Sequence, residues 1–209
     1  MKLIFLGPPG AGKGTMAARA KDFLGIPHVS TGELFRENVS SGTDLGKQVK
    51  EILAQGNLVP DEVTVAMVRE RLDRPDAEAG FILDGFPRTI PQAEALADIT
   101  NLDCVVNFAC SDEELIRRLT GRRQCPVCGR IYHIAFMPPA KDGFCDDDNA
   151  ELSIRDDDKI DAVRNRLEVY KASTKPLIAW YRERGLLKDV DAAQAPDGVF
   201  ESVKTVLGK

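Results

Sequence analysis

The sequence predicts an α/β fold: a mostly parallel five-stranded sheet flanked by helices and interrupted by two insertions. Three observations carry this. Five runs of strand length alternate with helix-like stretches, an order that favours parallel pairing with both sheet faces covered. The stretch Gly7-Pro8-Pro9-Gly10-Ala11-Gly12-Lys13-Gly14-Thr15 joins the first apolar run to a helical one, which is the context a phosphate-binding loop requires. Two further stretches, 30–59 and 122–159, break the alternation and read as inserted subdomains.

The strands are expected at 2–6, 28–30, 81–83, 104–108 and 187–190. Helical spacing covers 16–24, 63–72, 91–97 and 112–119, and a long helix is expected over about 157–181, with Pro176 as a kink or break. The core is then 1–29, 60–121 and 160–209. Ligands of such sheets bind beyond the carboxyl ends of the strands, and 7–15, 30–36 and 84–88 fall there.

A chain of 209 residues with 43% hydrophobic and 29% charged content can bury one sizeable core. The net charge of −5 argues against nucleic acid as a partner. No apolar run approaches membrane-spanning length, and 3–6 is too short for a signal sequence, so a cytoplasmic, membrane-free protein is expected, and a monomer because nothing suggests an obligate interface. Five cysteines in that compartment are expected unpaired. Cys104 and Cys110 read as small buried hydrophobes.

In the loop, glycines let backbone N–H groups converge on phosphate, the helix N-terminus adds partial positive charge, and Lys13 adds a full one. Gly14 stands where a Ser or Thr would contact Mg²⁺ directly, so the metal is expected to be held through water and by a carboxylate elsewhere. Asp84, at the end of an apolar strand, is that carboxylate. Arg88 follows just past the sheet, where a guanidinium can grip phosphate through two N–H bonds.

Four motifs together, Gly7 to Thr15, Ser30-Thr31-Gly32-Glu33-Leu34-Phe35-Arg36, Asp84-Gly85-Phe86-Pro87-Arg88 and Gly121-Arg122-Arg123, resemble the adenylate kinase family in order and over essentially the whole chain. The 122–159 insertion resembles that family's long lid. The resemblance implies a P-loop NTPase-type core and phosphoryl transfer from Mg·ATP to AMP, giving two ADP. It also implies that Gly10, Ala11, Gly12, Lys13, Gly14 and Thr15 hold the ATP phosphates. Arg118 would stack on the ATP adenine, Arg122 would reach its phosphates, and Ile131, Tyr132 and Gln194 would lie near the same nucleotide. Thr31 and Gln92 would address the AMP adenine, with Asn57, Leu58, Val59, Gly85 and Phe86 around them. A Gln amide donates and accepts in one plane, matching an adenine edge. Arg36 and Arg88 would grip the AMP phosphate, and Arg155 and Arg166 match the family's catalytic arginines.

The acceptor phosphate oxygen is already anionic at neutral pH, so no strong general base is needed. His28 and His133 are the only histidines, and neither falls in the core motifs. Catalysis is expected to rest on alignment, charge neutralisation and exclusion of water, with 30–59 closing over AMP and 122–159 over ATP.

Cys125-Pro126-Val127-Cys128 is a CxxC knuckle, and Cys145-Asp146-Asp147-Asp148 follows it. Cys125, Cys128, Cys145 and Asp148 have the spacing of a closed tetrahedral Zn²⁺ site, with Asp146, Asp147 and His133 competing for the fourth place. Some lids of the resembled family carry such a structural zinc. Rival readings are a UMP/CMP kinase, a zinc-ribbon nucleic-acid binder and a regulatory nucleotide-binding protein. The Thr31/Gln92 pair, the negative net charge and the arginines for two nucleotides argue against each in turn.

Overall fold

The computed structural model describes all residues, Met1–Lys209. Five strands form the main sheet: β1 (Lys2–Leu6), β2 (His28–Ser30), β3 (Phe81–Asp84), β4 (Cys104–Ala109) and β7 (Leu187–Asp191). Their order is β2-β3-β1-β4-β7, and every pairing is parallel. The order reverses at β1, whose neighbours β3 and β4 lie on opposite sides. A crevice opens above such a reversal, and the glycine-rich loop leaves β1 into it.

Alternation along β1 sends its side chains to two cores. Leu3 and Phe5 join a cluster with Met16, Ala17 and Ala20 of α1 (Lys13–Leu24), Leu115 and Leu119 of α6 (Asp112–Thr120), and Val199 and Val203 of α9 (Pro196–Val206). Ile4 and Leu6 join Val68 of α4 (Asp61–Leu72), Leu96 of α5 (Ile90–Ile99), and Leu177 and Tyr181 of α8 (Pro176–Glu183). The central strands β1, β3 and β4 are therefore buried on both faces and read as nearly continuous apolar runs, while the edge strand β7 is largely exposed.

Two stretches have cores of their own. α2 (Thr31–Ser40) and α3 (Asp44–Ala54) pack around Phe35, Val49 and Val59. An antiparallel pair, β5 (Arg122–Gln124) and β6 (Ile131–His133), adjoins a small cluster of Cys125, Tyr132 and Cys145.

The expected long helix is divided. Asp156–Asp158 forms a 3₁₀ turn, α7 runs Ile160–Val169, and Tyr170–Thr174 forms a π-helical turn before α8. Pro176 has no N–H for the ladder, and the preceding Lys175 N–H bonds back to the Tyr170 carbonyl at 2.8 Å, a five-residue step. The break thus precedes the proline instead of bending at it.

Candidate active site

One cavity of about 1050 Å³ opens above β1 and runs between α2 and the 122–159 stretch. Lys13, Arg36, Arg88, Arg118, Arg122, Arg155 and Arg166 all line it. Concentrating these cations in a chain of net charge −5 implies a ligand that carries several negative charges.

The loop geometry follows from its glycines. Gly10 has φ of 87°, and a Cβ there would lie 2.9 Å from Cγ of Leu119. Only glycine fits both the left-handed backbone and the approach of α6. Lys13 opens α1 and turns Nζ back onto the Gly7 and Pro8 carbonyls, both at 2.8 Å. Burial pushes its pKa down to about 8, opposed by Asp84. A Cβ at Gly14 would lie 3.5 Å from Asp84 Oδ2, so the missing hydroxyl leaves room for a carboxylate beside the loop. Burial works to raise the Asp84 pKa, but His28, Lys13 and Arg88 outweigh it and hold Asp84 below its ordinary value. Asp84 is therefore an ionised carboxylate poised for a hydrated cation, the chemistry Mg²⁺ needs.

His28, outside the motifs, also belongs to the site wall. It lines the cavity, with Nε2 3.5 Å from Asp84 Oδ2. The parallel pairing of β2 with β3 brings them together, and no local motif announces that pairing. His133 also lines the cavity, stacked 4.4 Å from the Phe136 ring.

On the α2 side, burial lowers the Arg36 and Arg88 pKa values from their ordinary high range. The Gly85 carbonyl accepts from Arg88 Nε at 2.7 Å and from the Thr31 hydroxyl at 2.9 Å. Arg122 makes two bonds to Asp158, at 2.7 and 2.6 Å, and Arg166 Nη1 reaches the same carboxylate at 2.9 Å. Arg155 Nε donates to the Gln124 side-chain oxygen, and burial lowers its pKa to about 9. Arg118 is braced by Glu114 at 2.7 Å.

Every residue expected around ATP lines the cavity: Gly10 to Thr15, Arg118, Arg122, Ile131, Tyr132 and Gln194. Tyr132, however, turns its side chain inward, where its hydroxyl meets Cys145 Sγ at 3.4 Å and accepts from the Asp146 N–H at 2.8 Å. Around the other nucleotide, Arg36, Leu58, Gly85, Arg88, Arg155 and Arg166 line the cavity, while Thr31, Asn57, Val59, Phe86 and Gln92 do not. Thr31 and Gln92 are buried behind the wall, and Phe86 belongs to the core under the sheet. Sequence reasoning missed Asp61, Asp158 and Thr174, whose hydroxyl donates to the Arg88 carbonyl at 2.9 Å.

A family model described as Adenylate kinase matches residues 5–186. The chain belongs to the adenylate kinase family. It is similar to an adenylate kinase of Treponema denticola, 52% identical over 98% of both chains. Another relative, the adenylate kinase of Archaeoglobus fulgidus, is 50% identical over 100% of this chain and 99% of its own. A third, from Carboxydothermus hydrogenoformans, is 50% identical over the full length of both. Adenylate kinase membership makes the chain a nucleoside monophosphate kinase with the P-loop NTPase fold.

In this adenylate kinase, the ligand atoms of Cys125, Cys128, Cys145 and Asp148 lie within 4.8 Å of one another. The Cys128 and Cys145 sulfurs are 3.5 Å apart, and Cys125 Sγ is 3.2 Å from Asp148 Oδ2. A tetrahedral Zn²⁺ with bonds of about 2.3 Å to sulfur holds its ligands at roughly 3.8 Å, so the set fits. The Ala150 N–H holds the Asp148 pKa down to about 2. The rival ligands are spent elsewhere. Asp147 pairs with Arg130 at 2.5 Å, Asp146 accepts from the Ala140 N–H at 2.8 Å, and His133 Nδ1 accepts from the Ala135 N–H at 3.0 Å. No helix is long and apolar enough to cross a membrane.

Proposed function

We propose that the chain transfers the terminal phosphoryl group of Mg·ATP to AMP, giving two ADP. The observation that carries this is one cavity lined by the glycine-rich loop together with Lys13, Arg36, Arg88, Arg118, Arg122, Arg155 and Arg166. In this reading Lys13 and the loop amides hold the β- and γ-phosphates, with Arg118 against the ATP adenine and Arg122 on its phosphates. Ile131, Tyr132 and Gln194 flank the same nucleotide, Tyr132 through its backbone. Arg36 and Arg88 hold the AMP phosphate. Thr31 and Gln92 read its base, beside Asn57, Leu58, Val59, Gly85 and Phe86. Arg155 and Arg166 neutralise charge on the transferring group. Asp84 would hold Mg²⁺, which would supply charge neutralisation on the ATP phosphates.

Residues 30–59 act as the AMP-binding subdomain, 122–159 as the lid, and the remainder as the core. Separate small clusters in the first two support this division. The chain acts on free ATP, AMP and ADP as a cytoplasmic monomer, and its net charge of −5 disfavours a polyanion partner.

Coupled turnover of Mg·ATP with AMP, UMP, CMP or GMP tests the reading. AMP should exceed each of the others by about a hundredfold or more in kcat/KM. Equal or better turnover with a pyrimidine acceptor would sink the base assignment and leave the phosphate chemistry standing.

We also propose that the Cys125, Cys128, Cys145 and Asp148 site holds a structural Zn²⁺. All four positions are filled by protein, which leaves no open place for substrate, and a small insert with little core gains stability from metal. Cys125→Ser should abolish bound zinc and lower the melting temperature by roughly 5–10 °C. Unchanged zinc content, read by metal analysis of the purified chain, would remove the proposal.

A further inference from the structure

The Gln92 amide is held on two sides. Its Nε2 donates to Asp61 Oδ1 at 2.6 Å, and its Oε1 accepts from the Arg88 backbone N–H at 2.8 Å. Only 2% of Gln92 is exposed, so water does not compete for either contact. Asp61 stands in the first turn of α4. Its other oxygen accepts from the Thr89 hydroxyl at 2.8 Å. The Thr89 oxygen in turn accepts from the Gln92 backbone N–H at 3.2 Å, capping α5.

An ionised carboxylate can only accept, and a backbone N–H can only donate. Turning the Gln92 amide over would set oxygen against the Asp61 carboxylate and NH₂ against the Arg88 N–H. Both contacts would become repulsive in a buried setting. One amide orientation is therefore enforced. It leaves one N–H and one oxygen lone pair unspent, because an amide has two of each. That remaining pair matches a 6-aminopurine, whose amino group donates and whose N1 accepts. A 6-oxopurine offers the opposite pair, an accepting oxygen and a donating N1–H, and matches only the turned amide.

We propose that Asp61 is a positioning residue that fixes the orientation of the Gln92 amide and thereby sets the preference for a 6-amino over a 6-oxo purine on the acceptor nucleotide. This rests on the base-reading role proposed for Gln92. Asp61 itself touches neither substrate nor the reacting atoms.

The test compares kcat/KM for AMP and IMP as acceptors in the wild type, Asp61→Asn, Asp61→Glu and Gln92→Leu, with melting curves to verify folding. Asn at 61 can donate toward Gln92 and so tolerates the turned amide. The AMP:IMP ratio should fall about tenfold or more in Asp61→Asn, with absolute IMP turnover rising. Asp61→Glu keeps an acceptor and should retain most of the preference. If Asp61→Asn does not fold, Asp61→Ser removes the carboxylate with a smaller side chain and should lower the same ratio.

A merely structural role for Asp61 would weaken both acceptors alike, and that result overturns the inference. A ratio held within about twofold in Asp61→Asn while Gln92→Leu collapses it also overturns the inference and leaves the base reading intact. A ratio unchanged in Gln92→Leu overturns both.

Discussion

Replacing Lys13 by Met is expected to lower kcat about a thousandfold and leave the fold intact. The Met side chain keeps most of the apolar stem and loses the charge. In the structure the ammonium rests on the Gly7 and Pro8 carbonyls, so the loop loses two bonds while its glycine-determined backbone remains. Removing one preorganised donor to developing charge costs about 10²–10³ in kcat. Lys13 supplies a full charge at the loop that meets the transferring group, which places the loss at the upper end. Stability should move the other way. Burial lowers the Lys13 pKa from 10.5 to about 8, so between those values the unfolded chain holds a proton that the folded chain releases. The ligand-free protein therefore gains stability as pH rises through that window, and below it Lys13 is a net burden. Lys13→Met should lack this rise and melt no lower than wild type at pH 7. Wild-type turnover in the variant would sink the phosphate role, and a lower melting temperature at pH 7 would sink the burial argument.

The same contrast between local and distant causes decides what the sequence reveals. The glycine-rich loop, the five strands and Asp84 are legible because each is encoded by neighbours in the chain. The structure extends β3, β4 and β7 by one residue each beyond the expected bounds. Other features are set by pairing across the fold. His28 reaches Asp84 only because β2 pairs with β3 in parallel. Asp61 orients Gln92 across 31 positions of sequence, and Asp158 joins Arg122 across 36. Asp158 ends the acidic run Asp156 to Asp158, yet its side chain is more buried than either arginine it pairs with. Tyr132 likewise sits at a family nucleotide position while its ring completes the small cluster beside Cys145. Motifs thus name many of the residues that line the cavity, and the residues that hold them emerge only from the packing.

Asp158→Ala should be the most destabilising single change among the charged residues, by about 3–5 kcal/mol. The Asp158 side chain is fully buried, while Arg122 and Arg166 are each 19% exposed. One carboxylate therefore holds two guanidiniums, one from β5 and one from α7. Deleting it leaves two largely desolvated cations facing each other, with only Asp157 near Arg166 at 3.0 Å as a remaining partner. At roughly 2–4 °C per kcal/mol for a chain of this size, the melting temperature should drop by about 6–20 °C. The exposed Arg130–Asp147 pair provides the comparison, since Arg130 and Asp147 side chains are 46% and 53% exposed. Breaking a surface pair of that kind costs little, because solvent screens it. Phosphates placed among Arg122 and Arg166 would return the missing negative charge, so a nucleotide bisubstrate analogue should raise the variant's melting temperature more than the wild type's. An equal shift in both proteins would mean that the ligand does not meet these arginines. A drop no larger than that of Asp147→Ala would mean that Asp158 does not hold them together.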